Sequence, residues 1–160
     1  MTVIMAAALV ATSCGGDDSG DAVAVGGTLP SIELPALADD GEPLPLDDLV
    51  GPAVVNLWAT WCQPCRRELP AFQQVSAAHT DVRFIGVDIG EDASNALDFL
   101  AEIDVDTDVF EQYGDPDSEL TDALGVANLP ITVVLDDEST IVDIHLGPMT
   151  VDDLEQAIEG

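Results

Sequence analysis

Seven consecutive residues, Ala53-Val54-Val55-Asn56-Leu57-Trp58-Ala59, are apolar but for Asn56, and a Cys-Gln-Pro-Cys block follows almost at once at Cys62. That juncture constrains the chain more than any other feature. A Val-rich run this short, entered through Gly51-Pro52, fits a strand buried on both faces. Cys62–Ala78 then shows helical periodicity, with Leu69, Phe72, Val75 and Ala78 on one side. Both cysteines therefore fall where a strand gives way to a helix. Unpaired N–H groups and the positive end of the helix dipole stabilise a thiolate there, well below the ordinary cysteine pKa of about 8.5. Cys62, at the very end, is expected to be the exposed nucleophile; Cys65, one turn in, would be more buried and would resolve a mixed disulfide.

Other uses of the pair fit less well. Zinc would want two more ligands, yet only His79 and His145 remain, without ligand-type spacing, so no metal is expected. A third cysteine, Cys14, stands alone, and three cysteines do not make a disulfide framework. A pair of buried structural cysteines is the plainer alternative. Arg66 and Arg67 follow the pair directly; they either offset the surrounding negative field at the thiols or form a surface pair matched with nearby acids such as Glu68 or Asp47.

Around this junction the chain alternates strands and helices. Leu29–Pro35 and Pro43–Leu46 flank the turn residues Asp39-Asp40-Gly41-Glu42, as a short Pro-bounded hairpin. One helical turn is expected at 47–49. Val82–Ile89 reads as a strand and Ala93–Ile103 as a helix with Ala96, Leu97, Leu100 and Ile103 inward. The polar stretch 104–118 offers only a short strand around Val109-Phe110. Its run Asp104-Val105-Asp106-Thr107-Asp108 mimics a calcium loop but fails at Val109 and Asp115, where Gly and Glu are needed. A short helix over 119–124 closes at Gly125, two strands at 131–135 and 141–146 pair around Asp136–Ser139, and a last helix covers 151–159. The order β-α-β-α then β-β-α gives an α/β sandwich around one mixed sheet.

Charge narrows the partners. Three Arg, no Lys and 32 acids give a net charge of −29, which repels nucleic acid and anionic lipid. The plain reading is a solvated acidic coat of the kind that saline surroundings favour.

Val54 to Pro70, through Trp58-Ala59-Thr60-Trp61-Cys62-Gln63-Pro64-Cys65-Arg66-Arg67-Glu68-Leu69-Pro70, closely resembles the active-site segment of TlpA/ResA-type thiol–disulfide oxidoreductases of the thioredoxin superfamily. The resemblance runs from about Leu29 to the end. It implies a thioredoxin-like three-layer sandwich with a central mixed sheet, an added N-terminal β-hairpin and a helical insertion within 81–118. It implies thiol–disulfide exchange without a cofactor, Cys62 and Cys65 being catalytic. Glu68 would match an acid that tunes thiol protonation; otherwise it is an exposed first-turn helix carboxylate. Leu129-Pro130 looks like the cis-proline loop, whose backbone would lie opposite Cys62 and pair with an extended substrate beside Trp61, Gln63 and Pro64. The sequence departs from its relatives at Ile131, where Thr is frequent. The partners implied are exported proteins bearing thiols or disulfides, apocytochrome c among them, and a membrane thiol–electron donor; the protein itself would be a monomer.

The beginning of the chain fits export. Val3–Ala11 is apolar, and Thr12-Ser13-Cys14 precedes the Gly- and Asp-rich 15–21. This resembles a bacterial lipoprotein cleavage site, with residues 1–13 as signal, Cys14 lipidated, 14–28 as a flexible tether and 29–160 as the domain. The site departs from the usual pattern at Ala11, where Leu is common, and no Lys or Arg precedes the apolar run. An ordinary cleaved signal or a frayed apolar start are the alternatives. For the domain itself, a non-catalytic peptide-binding module and a thiol peroxidase are the competing functions. The peroxidase reading lacks the Pro/Thr setting that such enzymes place before a lone cysteine.

Overall fold

The computed structural model describes residues 23–38 and 40–159, so the expected signal segment and Cys14 lie outside the described residues. The strands are β1 (Glu33–Leu34), β2 (Leu44–Pro45), β3 (Ala53–Trp58), β4 (Arg83–Ile89), β5 (Glu111–Asp115), β6 (Ile131–Leu135) and β7 (Ile141–Leu146). The helices are α1 (Gln63–Ala78), α2 (Ala93–Glu102), α3 (Glu119–Leu124) and α4 (Val151–Glu159), with a 3-10 turn over Leu46–Asp48.

β3 lies at the centre of a sheet ordered β5-β4-β3-β6-β7. It runs parallel to β4 and antiparallel to β6, and every residue of it is buried, as its apolar composition requires. Period-two alternation splits its side chains. Val55 and Leu57 join the N-terminal hairpin and Leu120 of α3 in one core; Val54 and Trp58 join Leu69, Phe72, Phe99, Leu100 and Leu154 from α1, α2 and α4 in the other. This is a thioredoxin-like three-layer sandwich with the β1–β2 hairpin added.

Three local expectations are corrected. Residues 109–110 are not a strand: Phe110 is a fully buried plug stacked on Phe72, and the strand is the polar run Glu111–Asp115, paired in parallel with β4. Ala78 is exposed; the buried face of α1 takes Glu68 and Ser76 instead, the latter donating to the Val109 carbonyl at 2.7 Å. The expected tether is docked before Leu29. Val23 is buried and donates to the Ala123 carbonyl, while Gly26 and Gly27 exchange backbone hydrogen bonds with Ile141 at 2.8 Å each.

Candidate active site

Cys62 and Cys65 are joined as a disulfide, with Cα atoms 5.3 Å apart. Cys62 is the N-cap of α1, and its Sγ accepts the Cys65 N–H at 3.2 Å. Pro64 sits in the first turn, where a missing N–H costs nothing because no helical carbonyl awaits it. The β-turn that delivers Cys62 to the helix is closed by its N–H on the Ala59 carbonyl at 3.0 Å.

The expected exposure of Cys62 is not what the oxidised protein shows: only 3% of the residue is accessible. Both cysteines lie in the α1-side core, where they cluster with Trp58 and Met149 and with half-buried Leu129. Trp61 is the exposed element, at 64%, and Gln63 beside it is exposed as well.

The Leu129–Pro130 peptide is cis, and Pro130 is buried at the entry to β6. Val126, Asn128, Leu129, Pro130, Leu146 and Gly147 line an open depression of about 430 Å³. None of its lining residues is charged, although the chain carries 32 acids. A slightly larger cavity of about 490 Å³ lies at the other end of the sheet, beside Pro52, Leu135 and Ile158, remote from the sulfurs.

Glu68 lies one turn beyond Cys65 on the same helix face, and the exposed-carboxylate reading is overturned because only 2% of the residue is accessible. Its Oε1 accepts from Asn56 Nδ2 at 3.0 Å, and its Oε2 accepts the Met149 N–H at 2.9 Å. Asn56 Nδ2 also donates to Thr132 Oγ1 at 3.2 Å. Burial outweighs the two hydrogen bonds and pushes the Glu68 carboxyl up to about 7. Asn56, the lone polar residue of the apolar run, is thus explained: it holds a buried acid behind the cysteines.

The arginines do not pair with Glu68. Arg66 bonds Glu102 of α2 and lies over the Phe99 ring at 5.3 Å, and Arg67 donates to the Gln63 carbonyl at 3.1 Å. One acid escaped the sequence reading. Asp88, register partner of Trp58 on β4, is fully buried, and burial, with Glu91 close by, raises its carboxyl to about 8. A carboxylate inside Phe84-Ile85-Gly86-Val87-Asp88-Ile89 was the available signal. Among the described residues no cluster of His, Cys, Asp and Glu is arranged to hold a metal.

Comparisons with known proteins bear on the chain as a whole. Residues 24–158 match the Redoxin family. ResA, a thiol–disulfide oxidoreductase of Geobacillus thermodenitrificans, is 33% identical over 141 residues, covering 86% of this chain and 78% of its own. The thiol:disulfide interchange protein DsbE of Pseudomonas fluorescens is 35% identical over 124 residues, covering 77% of this chain and 67% of its own. Among solved structures, MTB DsbF superposes with a TM-score of 0.73 at 29% identity, over 82% of this chain and 98% of that one. A secreted Mycobacterium tuberculosis disulfide oxidoreductase homologous to E. coli DsbE gives 0.70 at 25%, over 81% and 95%. With a disulfide at the first turn of α1 and relatives of this kind over most of its length, the chain belongs to the Redoxin family and is a thiol–disulfide oxidoreductase of thioredoxin-like fold.

Proposed function

We propose that Cys62 is the attacking sulfur, Cys65 the resolving one and Glu68 the proton acceptor, working as a reductant of exported proteins. In the dithiol form, the Cys62 thiolate attacks a substrate disulfide, forming a Cys62–substrate bond and expelling one substrate thiolate, which takes up a proton. Cys65 gives its proton to Glu68 and attacks Cys62 Sγ, expelling the second substrate thiolate. The substrate gains two electrons and the protein is left with the Cys62–Cys65 disulfide. The observation that carries this is the buried carboxyl of Glu68 one turn from the disulfide: a pKa of about 7 suits a group that takes and returns protons near neutrality.

An extended substrate segment would lie in the uncharged depression at Leu129-Pro130, its backbone pairing with that of Leu129 and its flank resting on Trp61, Gln63 and Pro64. The dithiol would be restored by a membrane thiol–electron donor, and cytochrome c maturation is a natural setting, with apocytochrome thiols as product. Lipidation at Cys14 would hold a monomeric domain on the outer face of the membrane, and intact mass of membrane-fractionated protein checks this: an unmodified Cys14 overturns it. The reductant role is tested by equilibrating the protein in defined thiol buffers. The expected potential is near or below thioredoxin's, about −270 mV; a value towards about −120 mV marks an oxidant instead and overturns the direction.

A further inference from the structure

Three stretches of chain meet around the disulfide, and hydrogen bonds stitch them together. Residues 59–67 carry the cysteines. Residues 125–131 carry the cis peptide, and the Pro130 carbonyl accepts the Gly147 N–H at 3.0 Å. Residues 144–150 complete the set, the Met149 N–H reaching Glu68 at 2.9 Å. None of the three contains Asp or Glu, although these make up 32 of the 160 residues and several would be expected here. The acidic coat resumes at the borders, at exposed Asp122, Asp143 and Asp152, and at Glu91, whose carboxylate is engaged by Thr60.

The face these stretches form exposes Trp61, Gln63, Asn128 and Leu146, together with Arg67. The other two arginines of the chain are held by acids, Arg66 by Glu102 and Arg83 by Glu111. Arg67 has no acid partner among the described residues. One N–H of its guanidinium goes to the Gln63 carbonyl at 3.1 Å, which leaves the rest of a planar fork suited to a carboxylate. A cation this near the N-terminus of α1 opposes the helix dipole, where α3 and α4 place acids instead, so helix stability does not account for it.

We propose that this face docks an exported protein that is itself acidic, with Arg67 receiving a carboxylate next to the cysteine that Cys62 attacks. A chain of net charge −29 repels an acidic partner wherever the coat is continuous, and admits one where it is interrupted. A basic partner would be held best by acids around the disulfide, and these three stretches supply none. Arg67 bonds the residue that follows Cys62, and an extended chain advances about 3.3 Å per residue, so the carboxylate stands within about two residues of the attacked cysteine. The uncharged remainder of the segment fills the depression beside Leu129 and Pro130. This choice of substrate rests on Cys62 being the attacking sulfur, as proposed above.

The test uses three peptide disulfides, alike except that Glu, Gln or Lys stands on both sides of the cysteine. Second-order rate constants for their reduction by the full-length dithiol protein are each divided by the rate with a small uncharged dithiol, which removes the peptide's own reactivity. In about 0.15 M salt, where the screening length is about 8 Å, the parent should favour the Glu peptide over the Lys peptide. The Glu-to-Gln ratio should fall at least threefold in Arg67→Ala, and the Lys-to-Gln ratio should rise at least threefold in Arg67→Glu. A change in Cys62 reactivity cancels in these ratios, so they read docking alone. Asn128→Asp, which puts an acid into the depression, should lower the Glu-to-Gln ratio as well. A parent that favours the Lys peptide, or ratios unmoved by both Arg67 substitutions, overturns the proposal. If no peptide is reduced, it is the exchange reaction that fails, and docking is read on the oxidised protein with peptides carrying Ser for the cysteine. The Glu peptide should then shift the amide resonances of Gln63, Arg67 and Asn128, and a Lys peptide that shifts them equally overturns the acidic partner.

Discussion

Replacing Glu68 by Gln should change the protein's stability in a pH-dependent way that a lost surface charge could not. In the unfolded chain the carboxyl ionises around 4.5; folded, burial against Asn56 and Met149 holds it to about 7. Between those values the unfolded chain releases a proton that the folded one keeps, so stability is fully present below 4.5 and declines as pH rises through 7. The difference corresponds to about 3 kcal/mol, undiluted by solvent because the side chain is sealed. Gln cannot ionise and escapes that decline. Any cost of re-pairing with Asn56, whose Oδ1 has no partner among the described residues, shifts both ends of the pH range alike. Urea unfolding of the oxidised protein at pH 4.5 and 8.5, followed by fluorescence of buried Trp58, should show Glu68→Gln gaining about 3 kcal/mol on the parent between the two. High salt keeps the acidic coat screened. A stability difference that is the same at both pH values would refute the buried, proton-holding Glu68.

Other substitutions separate packing from chemistry. Phe72→Ala empties the space between Phe84 and Phe110, with ring centroids 6.5 and 5.8 Å away, and should cost about 3–5 kcal/mol in chemical denaturation. Arg83→Ala removes a pair with Glu111 whose side chains are 40% and 38% exposed, and should cost under about 1 kcal/mol in the same assay. Trp61→Ala should leave unfolding within about 0.5 kcal/mol of the parent, since the ring is mostly in water. The same change should slow exchange with a disulfide-bonded protein in stopped-flow fluorescence.

The strand, turn and helix that carry the cysteines were legible because their signals are local: an apolar run, turn residues, then helical spacing beginning at Cys62. The same holds for α3, stopped by Gly125 at φ 66°, a left-handed conformation that favours glycine. What stayed hidden depends on distant partners. β5 is polar by composition and is a strand only because β4 offers it an edge, with Gln112 lying over Gly86 and bonding the Trp58 indole. Phe110, the apolar residue that suggested a strand, is instead drawn into the core by Phe72. For Glu68 two readings stood open, a thiol-tuning acid and an exposed helix carboxylate, because helix spacing cannot reveal that Asn56 and Met149 close over it. Val23–Gly27 looked like tether because its small residues carry no periodicity; pairing with Ile141 orders it.

The most direct test of the central claim is capture of the mixed disulfide. Reduced Cys65→Ser and Cys62→Ser variants are each mixed with a disulfide-bonded peptide and read by intact mass. The account predicts that Cys65→Ser accumulates a covalent adduct through Cys62, because nothing remains to resolve it, while Cys62→Ser accumulates little. An adduct that forms equally well on Cys62→Ser, or on neither variant, would contradict the assignment of Cys62 as the attacking sulfur.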